Sequence, residues 1–153
     1  MAIARGAGTE IIRSAHFRDI DATGTDLIIG VQHHIYTVLS VIIHTQTWQA
    51  AGNYFQLKIV GYDAKHASSD TGQSIIIHQK DMNVGETFVW NDKFSFNGFE
   101  PLDSAVTNPL STVAEQDAIA DQASAVPQKL SIITENAADG AHVHVTYIDQ
   151  NNA

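Results

Sequence analysis

The chain has 153 residues, 44% of them hydrophobic, which suits one domain with a core of its own. Seventeen acidic residues against eight basic ones give a formal net charge of -9, which argues against a phosphate-tracking surface for DNA or RNA and against anionic membranes. Cysteine is absent, so disulfides and thiolate chemistry are excluded.

The first residues, MAIARGAGTE, carry one Arg and no long apolar run, unlike a secretory signal. No apolar run approaches the ~18 residues of a membrane-spanning helix. The expectation is a protein made and used without export. Residues 1–9 are small and Gly/Ala-rich and read as a flexible N-terminal arm. One β domain is expected over 10–150.

Glu10–Phe17 (EIIRSAHF) reads as a short strand, and DIDATGTD as a turn-rich stretch. LIIGVQ follows as a second strand interrupted at Gly30. The strongest strand is Ile35–Thr45, IYTVLSVIIHT, where β-branched residues dominate. Its apolar residues fall on both parities, with Ile35, Leu39, Val41 and Ile43 on one and Val38 and Ile42 on the other. That pattern predicts a strand covered on both sides. Tyr54–Tyr62 alternates cleanly, with Phe55, Leu57 and Ile59 against Gln56 and Lys58, as a half-buried strand does. A polar loop over 61–72 leads to the strand SIIIHQ at Ser74–Gln79.

The segment GETFVWNDKFSFNGFEP concentrates aromatic rings. Phe88, Trp90, Phe94 and Phe96 share a parity, and a straight strand would send Asp92 into the core with them. A buried unpaired carboxylate is costly, so a break is expected at Asn91–Asp92. A two-residue hairpin would pair Trp90 with Lys93; a three-residue one would pair Trp90 with Phe94; a bulged single strand would also serve.

Residues 100–126 shift to Ala, Ser, Asp and Gln, with Glu100, Asp103, Glu115, Asp117 and Asp121 and no Lys or Arg between Lys93 and Lys129. Thr112-Val-Ala-Glu115 matches a capping box, which predicts a short helix over about 113–123 inside an insertion. Strands return at Leu130–Glu135 and His142–Asp149, flanking NAADGA, which reads as a hairpin loop with an Asp-Gly signal. The sum is all-β: an antiparallel, jelly-roll-like β-sandwich of about eight strands with one short helix.

Catalytic signatures are missing: there is no G-x-S-x-G, H-E-x-x-H or P-loop. Eight histidines are the unusual count. His142 and His144 share a strand face at a spacing that can chelate a metal, with His44 or His78 as a conceivable third ligand. Local hydrogen bonding of strand imidazoles accounts for them as well, so no cofactor is assigned. Asp19/Asp21 and Asp117/Asp121 read as solvated acids. The aromatic segment reads as core, and Trp48 in TQTWQAAGNY is the ring placed for exposure at a loop tip.

The order EIIRS, LIIGVQHHIYTVLSVIIHTQ, YFQLKIVGYDA, NVGETFVWNDKFSFNGFEP and a terminal HVHVTYIDQ resembles the small β-sandwich decoration, or cement, proteins of tailed-bacteriophage heads. The resemblance covers about residues 35–99 and 128–149; the 100–126 insertion and the histidines depart from it. It implies a non-enzymatic virion protein on the outer capsid surface. Such a protein would bridge capsomers as a homotrimer, with the major capsid protein as partner and neither nucleic acid nor membrane. The N-terminal Arg5, Arg13 and Arg18 then stand as contacts to an acidic shell, and Leu102, Leu110, Val113 and Ile119 as contacts to a neighbour. A phage neck, tail or head-fibre protein and a carbohydrate-binding sandwich module are the alternatives, and both segments read equally as ordinary solvated chain.

Overall fold

The computed structural model describes residues 10–61, 74–100, 112–114, 117 and 126–151. Its strands are β1 (Glu10–Ile20), β2 (Thr25–Ile29), β3 (His34–Thr47), β4 (Tyr54–Val60), β5 (Ser74–Asp81), β6 (Thr87–Trp90), β7 (Phe94–Asn97), β8 (Phe99–Glu100), β9 (Val126–Pro127), β10 (Lys129–Thr134) and β11 (Gly140–Asn151). One five-stranded sheet runs β1-β11-β3, with β6 and β7 both on the far side of β3. A four-stranded sheet runs β2-β10-β4-β5, and β8 and β9 form a two-stranded ribbon. Every pairing is antiparallel.

The inner faces of both sheets meet in one hydrophobic cluster. Val38, Val41, Ile43, Val143 and Val145 come from the first sheet; Phe55, Leu57, Leu130 and Ile132 come from the second. All nine are fully buried, and each such side chain is worth about 1.5–3 kcal/mol of transfer free energy.

The two apolar parities of β3 have a different cause from double coverage. Tyr36 and Val38 point into the core, and so do Val41, Ile43 and Thr45. The register against β11 jumps from Ser40↔Thr146 to Val38↔Tyr147, so Leu39 is an extra residue. This bulge switches the inward parity halfway along the strand, and the outer face stays open, with Ile42 exposed.

The aromatic segment answers that bulge. Phe88 and Trp90 pair with Ile43 and Val41, while Phe94 and Phe96 pair with Val38 and Tyr36. β6 and β7 are therefore consecutive lengths of one edge strand, interrupted opposite the β3 bulge. The interruption keeps all four rings on the core side and leaves Asp92 exposed. Of the three arrangements expected, the broken single strand is the one adopted.

The NAADGA loop is not a hairpin. β10 pairs with β2 and β4, whereas β11 pairs with β1 and β3, so the loop crosses between sheets. Asp139, 4% exposed, holds the crossing. Its carboxylate accepts hydrogen bonds from Gln49 N (2.8 Å), Asn53 Nδ2 (3.1 Å) and Asn136 N (3.1 Å). An Asp-Gly pair that signals a tight turn from sequence here supplies buried acceptor oxygens to three donors.

The arm at 1–9 and most of the helix expected over 113–123 lie outside the described residues. Within that helical span Val113, Ala114 and Asp117 are described, and their backbone is helical. β2 differs from the expected LIIGVQ strand interrupted at Gly30: it begins at Thr25, inside the stretch read as turn, and ends at Ile29 without resuming beyond Gly30.

Candidate assembly surface

Both sheets are stitched together at one end. Gly30 N donates to Gln128 O (2.8 Å), Gln128 N to Gly98 O (2.9 Å), and Gly98 N to His34 O (2.7 Å). His34 opens β3 in one sheet, and Gln128 immediately precedes β10 in the other. Only glycine allows this approach: a Cβ on Gly30 would lie 1.8 Å from Gly98 O, and one on Gly98 would lie 2.1 Å from Val31 O.

The chain passes into and out of its undescribed stretches at this same end. Glu10 pairs with Gln150, Ile35 with Gln150 and Asn97, Lys129 with Ile29 and Val60, and Val60 with Ser74. Glu10, Val60, Ser74, Glu100, Val126 and Asn151, which flank or lie next to those stretches, therefore gather around the Gly30–Gln128–Gly98–His34 stitch.

A polar cluster sits just inside this end. The carboxylate of Asp149, 6% exposed, accepts Nε of Arg13 at 2.7 Å and lies 2.5 Å from Nδ1 of His34. Behind it Tyr36 stacks between His34 (6.1 Å between centroids) and Phe96 (5.4 Å), with Tyr147 edge-on at 5.9 Å. The Tyr36 hydroxyl accepts from Val31 N at 3.2 Å. Burial, and then the charge of Asp149, push the Tyr36 phenol up to about 12. Burial raises Tyr147 as well, against the pull of Arg13. The arrangement locks a strand start, a strand end and the edge strand β1 to one carboxylate.

Of the residues singled out from sequence, Arg13 belongs to this cluster, Arg18 is exposed on β1, and Val113 is exposed. Arg5, Leu102, Leu110 and Ile119 lie outside the described residues. The structure brings none of the described ones together.

His142 and His144 lie on the outer face of the five-stranded sheet, because Val143 and Val145 between them fill the core. His16 pairs with His144 and His44 with His142. The His16 ring centroid is 6.0 Å from His142 and 6.1 Å from His144. His142 Nε2 is 4.0 Å from Asp19 Oδ1, and His44 Nδ1 is 2.8 Å from the Thr87 hydroxyl. Among the described residues no three His, Cys, Asp or Glu side chains converge as metal ligands. His78 joins nothing on this face. It lies in β5 of the other sheet, stacked on Phe88 at 5.0 Å with the rings 5° from parallel. The proximity of His16 was invisible in the sequence, because it depends on the first and last strands pairing.

Trp48 is half-buried against the core, and its Nε1 donates to Asn53 O at 3.1 Å. With the β6–β7 rings facing inward too, none of these aromatics forms an outward stacking platform. An open depression of about 340 Å³ on the four-stranded sheet is lined by Thr23, Asp26, Lys58 and Ser131 among others. Asp26 is salt-bridged there to Lys129 at 3.0 Å. Its partial burial opposes ionisation, but the Ser131 and Lys129 hydrogen bonds outweigh it and hold the carboxyl below its usual range.

No protein-family model and no curated protein matches the chain. Among solved structures it has a loose likeness to a Bacillus endospore appendage protein of disulfide-linked pili, at 14% identity and TM-score 0.43, covering 100% of this chain and 97% of that one. A VP2 protein of infectious bursal disease virus in T=1 particles gives 9% identity and TM-score 0.39, covering 99% of this chain and 38% of that one. The xylanase 10B CBM22-1–GH10 modules of Clostridium thermocellum give 16% identity and TM-score 0.43, covering 88% of this chain and 20% of that one.

Proposed function

We propose that this protein is a non-enzymatic structural subunit of a virion that decorates and stabilises the capsid of a tailed bacteriophage. In this reading it sits on the outer capsid surface as a homotrimer and bridges neighbouring copies of the major capsid protein. The observation that carries the reading is the strand order. Counting β6 and β7 as one strand and leaving out the β8–β9 ribbon, the chain pairs its first strand with its last, second with seventh, third with sixth and fourth with fifth. A long antiparallel hairpin wrapped into two facing sheets would produce that order, and this is what supports reading the fold as a jelly roll, an architecture that capsid domains use.

The anchors at the stitched end support the same reading. A rigid two-sheet body that gathers the flanks of its longest connections at one end separates a scaffold from a contact surface. The acidic composition suits a particle coat that must stay soluble before assembly.

The test is assembly. Purified protein should scatter light as a trimer and bind preformed capsid shells at saturating stoichiometry, and decorated shells should outlast bare ones on heating. A monomer that ignores shells would end the reading.

A further inference from the structure

We propose that the free edge of β1 pairs antiparallel with the same edge of a second copy, across a two-fold axis at Ser14, joining two five-stranded sheets into one. This goes beyond the capsid reading and stands without it, because it rests on edge geometry alone.

Two stacked open sheets present four edges. Natural proteins blunt such edges with short strands, bulges or interruptions, because unpaired N–H and C=O groups invite another strand. Three edges here are blunted. The β6–β7 edge is broken at residues 91–93. β2 has five residues and a register shift against β10. β5 carries a shift opposite Leu57/Lys58. β1 differs in where its irregularity falls: Glu10 to Phe17 keep unbroken register with β11, the shift comes only between Phe17 and Ile20, and among the described residues nothing pairs with the other side. The edge is also apolar at its start, with Ile11 40% and Ile12 71% exposed.

The partner is a second copy because the strand is complementary to itself about Ser14, the register in which charges of opposite sign meet over the longest overlap. In a two-fold antiparallel pair, residues opposite each other must share a sheet face, so only axes through a residue are allowed. An axis at Ser14 sets Glu10 against Arg18 of the second copy at both ends, Ile11 against Phe17, and Ile12 against His16. An axis at Arg13 would oppose two guanidiniums. An axis at Ala15 would set Ile12 against Arg18 and Ile11 against Asp19. Arg13 itself is already neutralised by Asp149 on the inner side, at 2.7 Å. Like charges directly opposite destabilise a strand pair, and opposite charges stabilise it.

The chain has no cysteine, so engineered thiols read the register directly. Directly opposed residues in antiparallel strands lie about 4.5–5.5 Å apart at Cα, within disulfide range. Full-length Ser14→Cys protein, oxidised with diamide, should give a dimer band on a non-reducing denaturing gel. Ile12→Cys and His16→Cys should each stay single alone and cross-link when mixed. Glu10→Arg and Arg18→Glu should each slow Ser14→Cys cross-linking about tenfold, and the double exchange should restore it. Circular dichroism verifies that each variant is folded. Self-cross-linking of Arg13→Cys in place of Ser14→Cys, no dimer from folded Ser14→Cys, or no rescue by the double exchange would overturn the proposal. Shell binding tests the capsid reading separately; a homotrimer that also makes this two-fold contact would scatter light as a hexamer, and a species that stays strictly trimeric under the cross-linking conditions would count against the contact.

Discussion

Nδ1 of His34 lies 2.5 Å from Oδ1 of Asp149, joining the first residue of β3 to the C-terminal end of β11. Arg13 Nε takes the other oxygen, so one buried carboxylate ties three strands at the end from which the undescribed stretches depart. Asp149→Asn keeps the shape but removes the charge from both contacts. It should lower unfolding free energy by about 1–3 kcal/mol in a urea titration, with the slope unchanged. Arg13→Ala, removing the more exposed partner, should cost less.

Tyr36 predicts an alkaline limit. Its folded-state pKa is about 12 against an ordinary value of 10, so the neutral phenol favours the fold. That contribution is intact below pH ~10 and is lost as pH rises through about 12, on the order of 2 kcal/mol. Thermal melts across this window should fall steeply for the natural protein and less steeply for Tyr36→Phe. At neutral pH the variant should lose about 1 kcal/mol, since Val31 N–H then lacks its acceptor.

Gly98→Ala should be among the most damaging single changes. Its Cβ would meet backbone at 2.1 Å from Val31 O, and backbone cannot rotate aside. A loss above about 3 kcal/mol, or failure to fold, is expected on chemical denaturation. Gly52→Ala provides the contrast. Nothing lies within 4 Å of a Cβ there, and only its positive φ of 91° opposes the change, costing about 1–2 kcal/mol.

His78 holds a weak point. Its Nε2 is buried and has no hydrogen-bond partner among the described residues, while its ring stacks flat on Phe88. Replacing the imidazole by a ring without polar atoms removes that desolvation penalty. His78→Phe should stabilise the protein by about 1 kcal/mol, read as a rise in thermal midpoint of a few degrees.

Much of the strand content was legible because it depends on local alternation. Tyr54–Val60 shows this best, with Phe55 and Leu57 buried as the period of two requires. β3 was misread for a physical reason. A bulge and a doubly covered strand leave the same trace, apolar residues on both parities, and only the partner register separates them. NAADGA failed similarly. The turn chemistry was real, but which sheet each flank joins depends on strands far away in the chain, as the pairing of Thr134 with Phe55 and of Ala141 with Thr45 shows. Of the candidate contact residues, Arg13 was visible as a basic residue, but its commitment to Asp149 was not.

From residue order alone came the all-β class, the strand positions, the acidic surface and the need to keep Asp92 out of the aromatic core. Each follows from chain-local physics: side-chain branching, a period of two, and the cost of burying charge. The sorting of strands into two sheets, the cluster on Asp149, the edge-on approach of His16 to His142 and the open edge of β1 among the described residues were decided only in three dimensions. They depend on which distant strands exchange hydrogen bonds, and antiparallel pairing itself is indifferent to sequence until side chains on both strands are brought face to face.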